Sequence, residues 1–228
     1  MPNTLAHLGV AGLATRSIIT AAGLKWVYIG ALIPDLPWMI QRIVRIIIPD
    51  INLYDLRLYV IVQSTLFLGL ILSIAFASLS KEHNKTFLIL SFGCLIHLLL
   101  DSLQEKWAGS VILFAPFNWE TFSLGLFWPE SFPTYALTFF GLFYIIFLFR
   151  KGIQEPLNLE VKNLRRRVLF IFMLLVYFIL PLFLLSQPLE ANSHFVKTLK
   201  NVDERPGKYF ECDRRSFACR RRHRVERN

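Results

Sequence analysis

Thr86-Phe87-Leu88-Ile89-Leu90-Ser91-Phe92-Gly93-Cys94-Leu95-Ile96-His97-Leu98-Leu99-Leu100-Asp101 decides how this chain folds. The uncharged part, Thr86 to Leu100, is fifteen residues long, about 22 Å of helix at 1.5 Å per residue. A hydrocarbon layer of about 30 Å needs roughly twenty residues. A spanning helix must therefore run on through Asp101 toward Gln104, which sets a carboxylate at the membrane boundary. His97 and Asp101 are four apart, so they share one helical face and can share a ligand. Ionisable side chains in that position are costly and point to function. The plainer reading is a histidine in a packed contact and an aspartate facing headgroups.

The rest of the composition agrees with a membrane chain. Hydrophobic residues make up 54% of 228, Phe alone numbers 21, and the mean hydropathy is +0.47. These values exceed those of an ordinary soluble domain. Three further uncharged runs, Tyr59–Leu79, Phe132–Phe149 and Val168–Leu185, each read as a spanning helix. Pro133 suits a helix start, and Pro181 predicts a kink near the end of the last span.

The first 34 residues are apolar except for His7, Arg16 and Lys25, and glycines punctuate them. One reading is a single span over 17–33 with Lys25 snorkelling. The other is a pair of half-length helices in a re-entrant or interfacial hairpin, tolerable where protein covers the turn. A cleavable signal peptide is disfavoured, because the start lacks a basic segment and no small-residue cleavage site follows. The expected fold is an all-α, polytopic membrane helix bundle. It has four to five spans plus a possible N-terminal half-helix hairpin over residues 1–189, with a basic extramembrane tail over 190–228.

Basic residues orient the bundle. The 150–167 linker holds Arg150, Lys151, Lys162, Arg165, Arg166 and Arg167, so it is expected on the cytoplasmic side, together with the Lys81–Lys85 turn. The 101–131 loop, with four acids against one lysine, falls on the outer side. The tail carries nine basic and three acidic residues over 205–228, which gives +6 of the chain's +9. It lacks aromatic interleaving and zinc spacing, so a nucleic-acid partner is not expected. Arg220-Arg221-Arg222 and its neighbours have little to bury, which predicts disorder from Ser216 onward. Cys94, Cys212 and Cys219 form no disulfide framework.

With this orientation, polar residues from three segments reach the outer face: Asp35, then Gln63 and Ser64, then His97 and Asp101. Each has a bland alternative. Asp35, between Pro34 and Pro37, can serve a turn. Gln63 and Ser64 can be interhelical hydrogen-bond glue, and a lone His7 is more often structural. After Asp101, the run Val111–Phe117 and the aromatics Trp119 and Trp128 suggest a segment lying in the interface over the site, where it would meet an amphiphilic ligand.

Four motifs then occur in order: Pro2-Asn3-Thr4-Leu5-Ala6-His7, Gly30-Ala31-Leu32-Ile33-Pro34-Asp35, His97-Leu98-Leu99-Leu100-Asp101 and Leu113-Phe114-Ala115-Pro116-Phe117. Over roughly residues 1–150 the chain resembles the YdjM-like family of predicted inner-membrane metal-dependent hydrolases. The resemblance implies a bacterial inner-membrane location. It also implies a metal site of His7, Asp35, His97 and Asp101, with Gln63 and Ser64 contacting substrate or supporting the ligands. Imidazole and carboxylate ligands suit a divalent ion such as zinc, which polarises a phosphoryl or carbonyl oxygen and activates water. Two positions depart from the family pattern. Gln63 stands where a histidine is common, and Trp38 where a second acid is common.

Two functions follow from this. One is a membrane-bound metal-dependent hydrolase of a lipid-borne or amphiphilic (phospho)ester, with membrane lipid as its partner. The other is a non-catalytic integral membrane protein that retains the fold for structural or binding purposes.

Overall fold

The computed structural model describes residues 4–19, 22–104, 111–128, 130–154, 159–160 and 163–190. Trp107, Cys212, Cys219 and the tail lie outside the described residues. The described chain is all-helical: α1 (Thr4–Ile18), α2 (Leu24–Leu32), a 3-10 turn (Ile33–Asp35), α3 (Leu36–Ile47), α4 (Leu53–Gln63), α5 (Leu66–Ser78), α6 (His83–Leu103), α7 (Phe132–Gln154), α8 (Leu164–Leu184) and α9 (Ser186–Glu190). Among the described residues, extended pairing is confined to isolated bridges.

Two stretches, His83–Leu103 and Leu164–Pro188, are long and apolar enough to cross a membrane, or three if α4 and α5 count as one broken span. The N-terminal region is two short helices and not one helix over 17–33. The run Tyr59–Leu79 also differs from a single straight helix, because α4 and α5 meet at a 68° bend. Neither Gly nor Pro causes the bend. Thr65 adopts an extended conformation at the N-cap of α5 without a side-chain capping bond, while the Ser64 hydroxyl donates back to the Ile61 carbonyl. Such local side-chain bonds compete with the helical ladder. The apolar part of α7, Phe132–Leu148, is shorter than a full crossing. Pro181 is buried inside α8, which continues to Leu184.

The main core joins α5, α6 and α8 through Leu68, Leu72, Leu90, Cys94 and Tyr177. Two backbone crossings set the remaining geometry. A Cβ on Gly30 would lie 2.8 Å from the Leu90 carbonyl, and one on Gly93 would lie 2.9 Å from Gly30, so α2 and α6 touch backbone to backbone. Gly9 and Gly141 bring α1 and α7 together in the same way. Small residues at crossings permit this approach, as is common between membrane helices.

At one end of the bundle, the α5–α6 turn meets the linker before α8. Arg166 Nη1 donates to the Ser80 carbonyl at 2.8 Å and pairs with Glu160 at 2.6 Å. The Lys81–Lys85 turn and this linker thus share one end, and His97 and Asp101 sit toward the other end of α6.

Helix α3 is built differently from its neighbours. Met39, Ile43, Ile46 and Ile47, spaced as one helical face, are 52%, 56%, 80% and 71% exposed. Gln41, Arg42 and Arg45 fall on the other side, and Pro37 is its one buried residue. Its apolar face therefore points outward.

Candidate metal centre

His7, Asp35, His97 and Asp101 come together from three elements. α1 supplies His7, which the Gly9–Gly141 crossing holds in the bundle. Asp35 ends the 3-10 turn and stands at the N-cap of α3, yet its side chain makes no capping hydrogen bond. An N-cap aspartate usually accepts from the next turn's amides; this carboxylate faces His97 instead, with Oδ1 3.5 Å from Nε2. His97 and Asp101 share one face of α6. Their Nε2 and Oδ2 are 3.8 Å apart, and Asp101 Oδ1 lies 3.4 Å from His7 Nε2. The two imidazoles stack. Both histidines are 1% exposed, Asp101 is 7% and Asp35 is 9%.

The tautomer of His97 follows from its outer contact. Its Nδ1 lies 2.6 Å from the Ala31 carbonyl. A carbonyl can only accept, so Nδ1 carries the proton. In the neutral ring, Nε2 then presents a lone pair to two carboxylate oxygens, which also carry lone pairs. Such an arrangement calls for a cation among them. The separations leave room for one. Charge-assisted hydrogen bonds run at about 2.7–2.9 Å, shorter than the 3.4–3.8 Å observed here. Ligands about 2.0–2.1 Å from a tetrahedral ion are about 3.3–3.4 Å from each other, close to the spacing found.

Charge balance points the same way. Two ionised carboxylates beside two neutral imidazoles would carry a net −2, which one divalent ion would cancel; buried charge without such compensation is costly. His7, His97 and Asp101 offer ligand atoms within 4.8 Å of one another, so this buried cluster can hold a metal ion. Asp35 adjoins it through His97. The Ala31 carbonyl is the kind of outer partner that orients a ligating histidine, and it reaches His97 because α2 and α6 touch at Gly30 and Gly93.

Gln63 and Ser64 bond within α4. Gln63 Nε2 donates to the Tyr59 hydroxyl at 3.4 Å, which in turn donates to the Phe178 carbonyl in α8. The 111–128 segment packs Val111 and Leu113 against Leu98, while Phe117 is 95% exposed.

Beside His7 lies a small cavity, about 10 Å³, whose lining includes Gln104 and Thr134. Gln104, 1% exposed, donates from Nε2 to Thr134 Oγ1 at 3.1 Å, and Thr134 donates to the Trp128 carbonyl. Neither residue stands out in the sequence as a partner of the other, because they are thirty positions apart. An uncharged amide in the last turn of a spanning helix is the only hint.

The chain matches no family model, no curated protein and no solved structure.

Proposed function

We propose that the protein is a membrane-bound metal-dependent hydrolase of a lipid-borne or amphiphilic ester, of which a phosphoester suits the site best. The observation that carries this reading is the meeting of three acceptors: His97 Nε2, its proton committed to Ala31 on the other nitrogen, and the Asp35 and Asp101 oxygens. His7, His97 and Asp101 would hold the ion, with Asp35 as the fourth donor, and zinc is the metal that best fits two imidazoles and two carboxylates. Bound there, zinc would polarise a phosphoryl or carbonyl oxygen and lower the pKa of water. The chain's own part is to fix both imidazoles through the Ala31 carbonyl and the ring stack, and to keep bulk water out.

Support for the family reading rests on the four ordered motifs and on the convergence of their polar residues. The location proposed is a bacterial inner membrane, with α6 and α8 as spans, α4–α5 as a broken span, and α7 and the α1–α2 pair completing a polytopic bundle. Membrane lipid is the proposed partner.

A second reading, a non-catalytic membrane protein that keeps the cluster for structure or binding, is favoured by two observations. The cluster is almost fully enclosed, and Gln63 hydrogen-bonds within its own helix.

Metal analysis separates the readings. Protein purified without chelators should carry stoichiometric zinc that is lost in His97→Ala. Metal-free wild-type protein would remove the hydrolase reading.

A further inference from the structure

We infer that α3 is an interfacial helix that lies in the headgroup layer and binds anionic phospholipid through Arg42 and Arg45, so that Asp35 and the cluster behind it sit at the depth of lipid ester and phosphate groups. The statement about depth rests on the metal-site reading above; the placement of α3 does not.

Helix α3 is twelve residues long, about 18 Å at 1.5 Å per residue, too short to cross a bilayer. Its apolar ridge of Met39, Ile43, Ile46 and Ile47 faces away from the protein. The opposite side carries Gln41, Arg42 and Arg45, and both arginines are exposed. One strongly apolar face and one basic face mark a helix that lies in the membrane plane, its apolar side sunk about 5–10 Å below the headgroups.

Charge selects the occupant. Arg42 and Arg45 are three apart on the helix and both exposed, so one phosphate can lie near both, and its oxygens match the guanidinium fork. A second copy of this chain would suit the face less well, because a two-fold interface sets each patch against itself and brings like charges together. Two stretches of the same chain, His83–Leu103 and Leu164–Pro188, are long and apolar enough to cross a bilayer, which would supply the apolar phase for this face. Finally, the N-cap of α3 is Asp35, whose carboxylate is 3.5 Å from His97, so the depth of the helix fixes the depth of the cluster.

The test uses the full chain in nanodiscs, with Cys212 and Cys219 changed to Ser and single nitroxide labels placed along 39–47. Accessibility to oxygen relative to a nickel chelate should rise at positions 39, 43, 46 and 47 and fall at 41, 42 and 45, following the 3.6-residue period. Nickel accessibility on both faces would mean a solvated helix and overturn the inference. Immobilised labels at 43 and 46 that loosen on dilution would mean a second copy covers the face, with the same result. In nanodiscs of mixed lipid, the protein should retain phosphatidylglycerol over phosphatidylcholine. Arg42→Gln with Arg45→Gln should cut that preference by about fivefold per arginine; an unchanged preference overturns the anionic-lipid assignment. An embedded α3 in a protein that binds no zinc removes the metal reading alone, and zinc bound with α3 in water removes this inference alone.

Discussion

The imidazole rings of His7 and His97 stack with centroids 3.8 Å apart and planes 10° from parallel. Two rings in that contact repel if both are protonated, so the pair is suited to neutral imidazoles that share a cation at their edges. Both turn Nε2 toward Asp101. The stack and the ligand set can be separated by substitution. His7→Phe keeps a stacked ring and removes the nitrogens, and it should weaken zinc binding by more than about 100-fold, the upper end of what losing an outer partner costs. Metal-free His7→Phe should unfold close to the wild type, whereas His7→Ala should lose stability as well as metal. Competition with a chromophoric chelator and thermal melts in detergent report the two quantities.

Asp101 and Asp35 should differ in weight. Asp101 reaches both histidines and Asp35 only His97, so Asp101→Asn is expected to lower zinc affinity more than Asp35→Asn. Equal losses, measured by the same competition, would mean that the two carboxylates hold the ion alike.

Metal removal should soften the fold. At free zinc 100-fold above Kd, binding stabilises the folded state by about 2.7 kcal/mol. Chelation should therefore lower the melting temperature of the wild type and leave that of His97→Ala unchanged.

The crossing of α2 and α6 can be tested at one atom. Gly93→Ala places a methyl 2.9 Å from Gly30, and such overpacking costs about 1–3 kcal/mol. It should also draw the Ala31 carbonyl away from His97 and weaken zinc binding. Gly69→Ala, whose new methyl meets only ordinary contacts from 3.6 Å outward, is the control and should melt at or above the wild-type temperature, since alanine suits a helix better.

Much of this arrangement is legible in the sequence, and the rest is not, for identifiable reasons. The uninterrupted run before His97 makes α6 readable, and the four-residue spacing puts Asp101 on the same face. The 68° bend at Ser64–Thr65 has no Gly or Pro to announce it; it coincides with the extended backbone of Thr65 and the local bond of the Ser64 hydroxyl, and both residue types elsewhere sit inside helices. Helix α3 is masked by its isoleucines, which blend into the surrounding apolar sequence; the signal is their spacing against Arg42 and Arg45, not their number. The Ala31 carbonyl leaves no trace in side-chain chemistry, since any residue supplies a carbonyl. Only the glycines at 30 and 93 hint that two backbones meet there.

The tie between Gln104 and Thr134 gives a stability prediction. Thr134→Val leaves the buried Gln104 amide without its acceptor and should cost about 1–3 kcal/mol. Adding Gln104→Met to that variant removes both partners and should recover part of the loss. An additive result in thermal or denaturant unfolding would show that the two side chains do not act together.

The seat of α1 has a consequence for biosynthesis. His7 is made 94 residues before Asp101 (101 minus 7), and Gly141, against which Gly9 rests, comes 132 residues after Gly9 (141 minus 9). At roughly 5–20 residues per second, α1 waits about 7–26 s for α7 to be synthesised. During that interval α1 can meet α2 and α6 but not the helix against which Gly9 rests. A ribosome that stalls between Asp101 and Gly141 would leave a chain that owns all four residues of the cluster while one side of α1 is still uncovered.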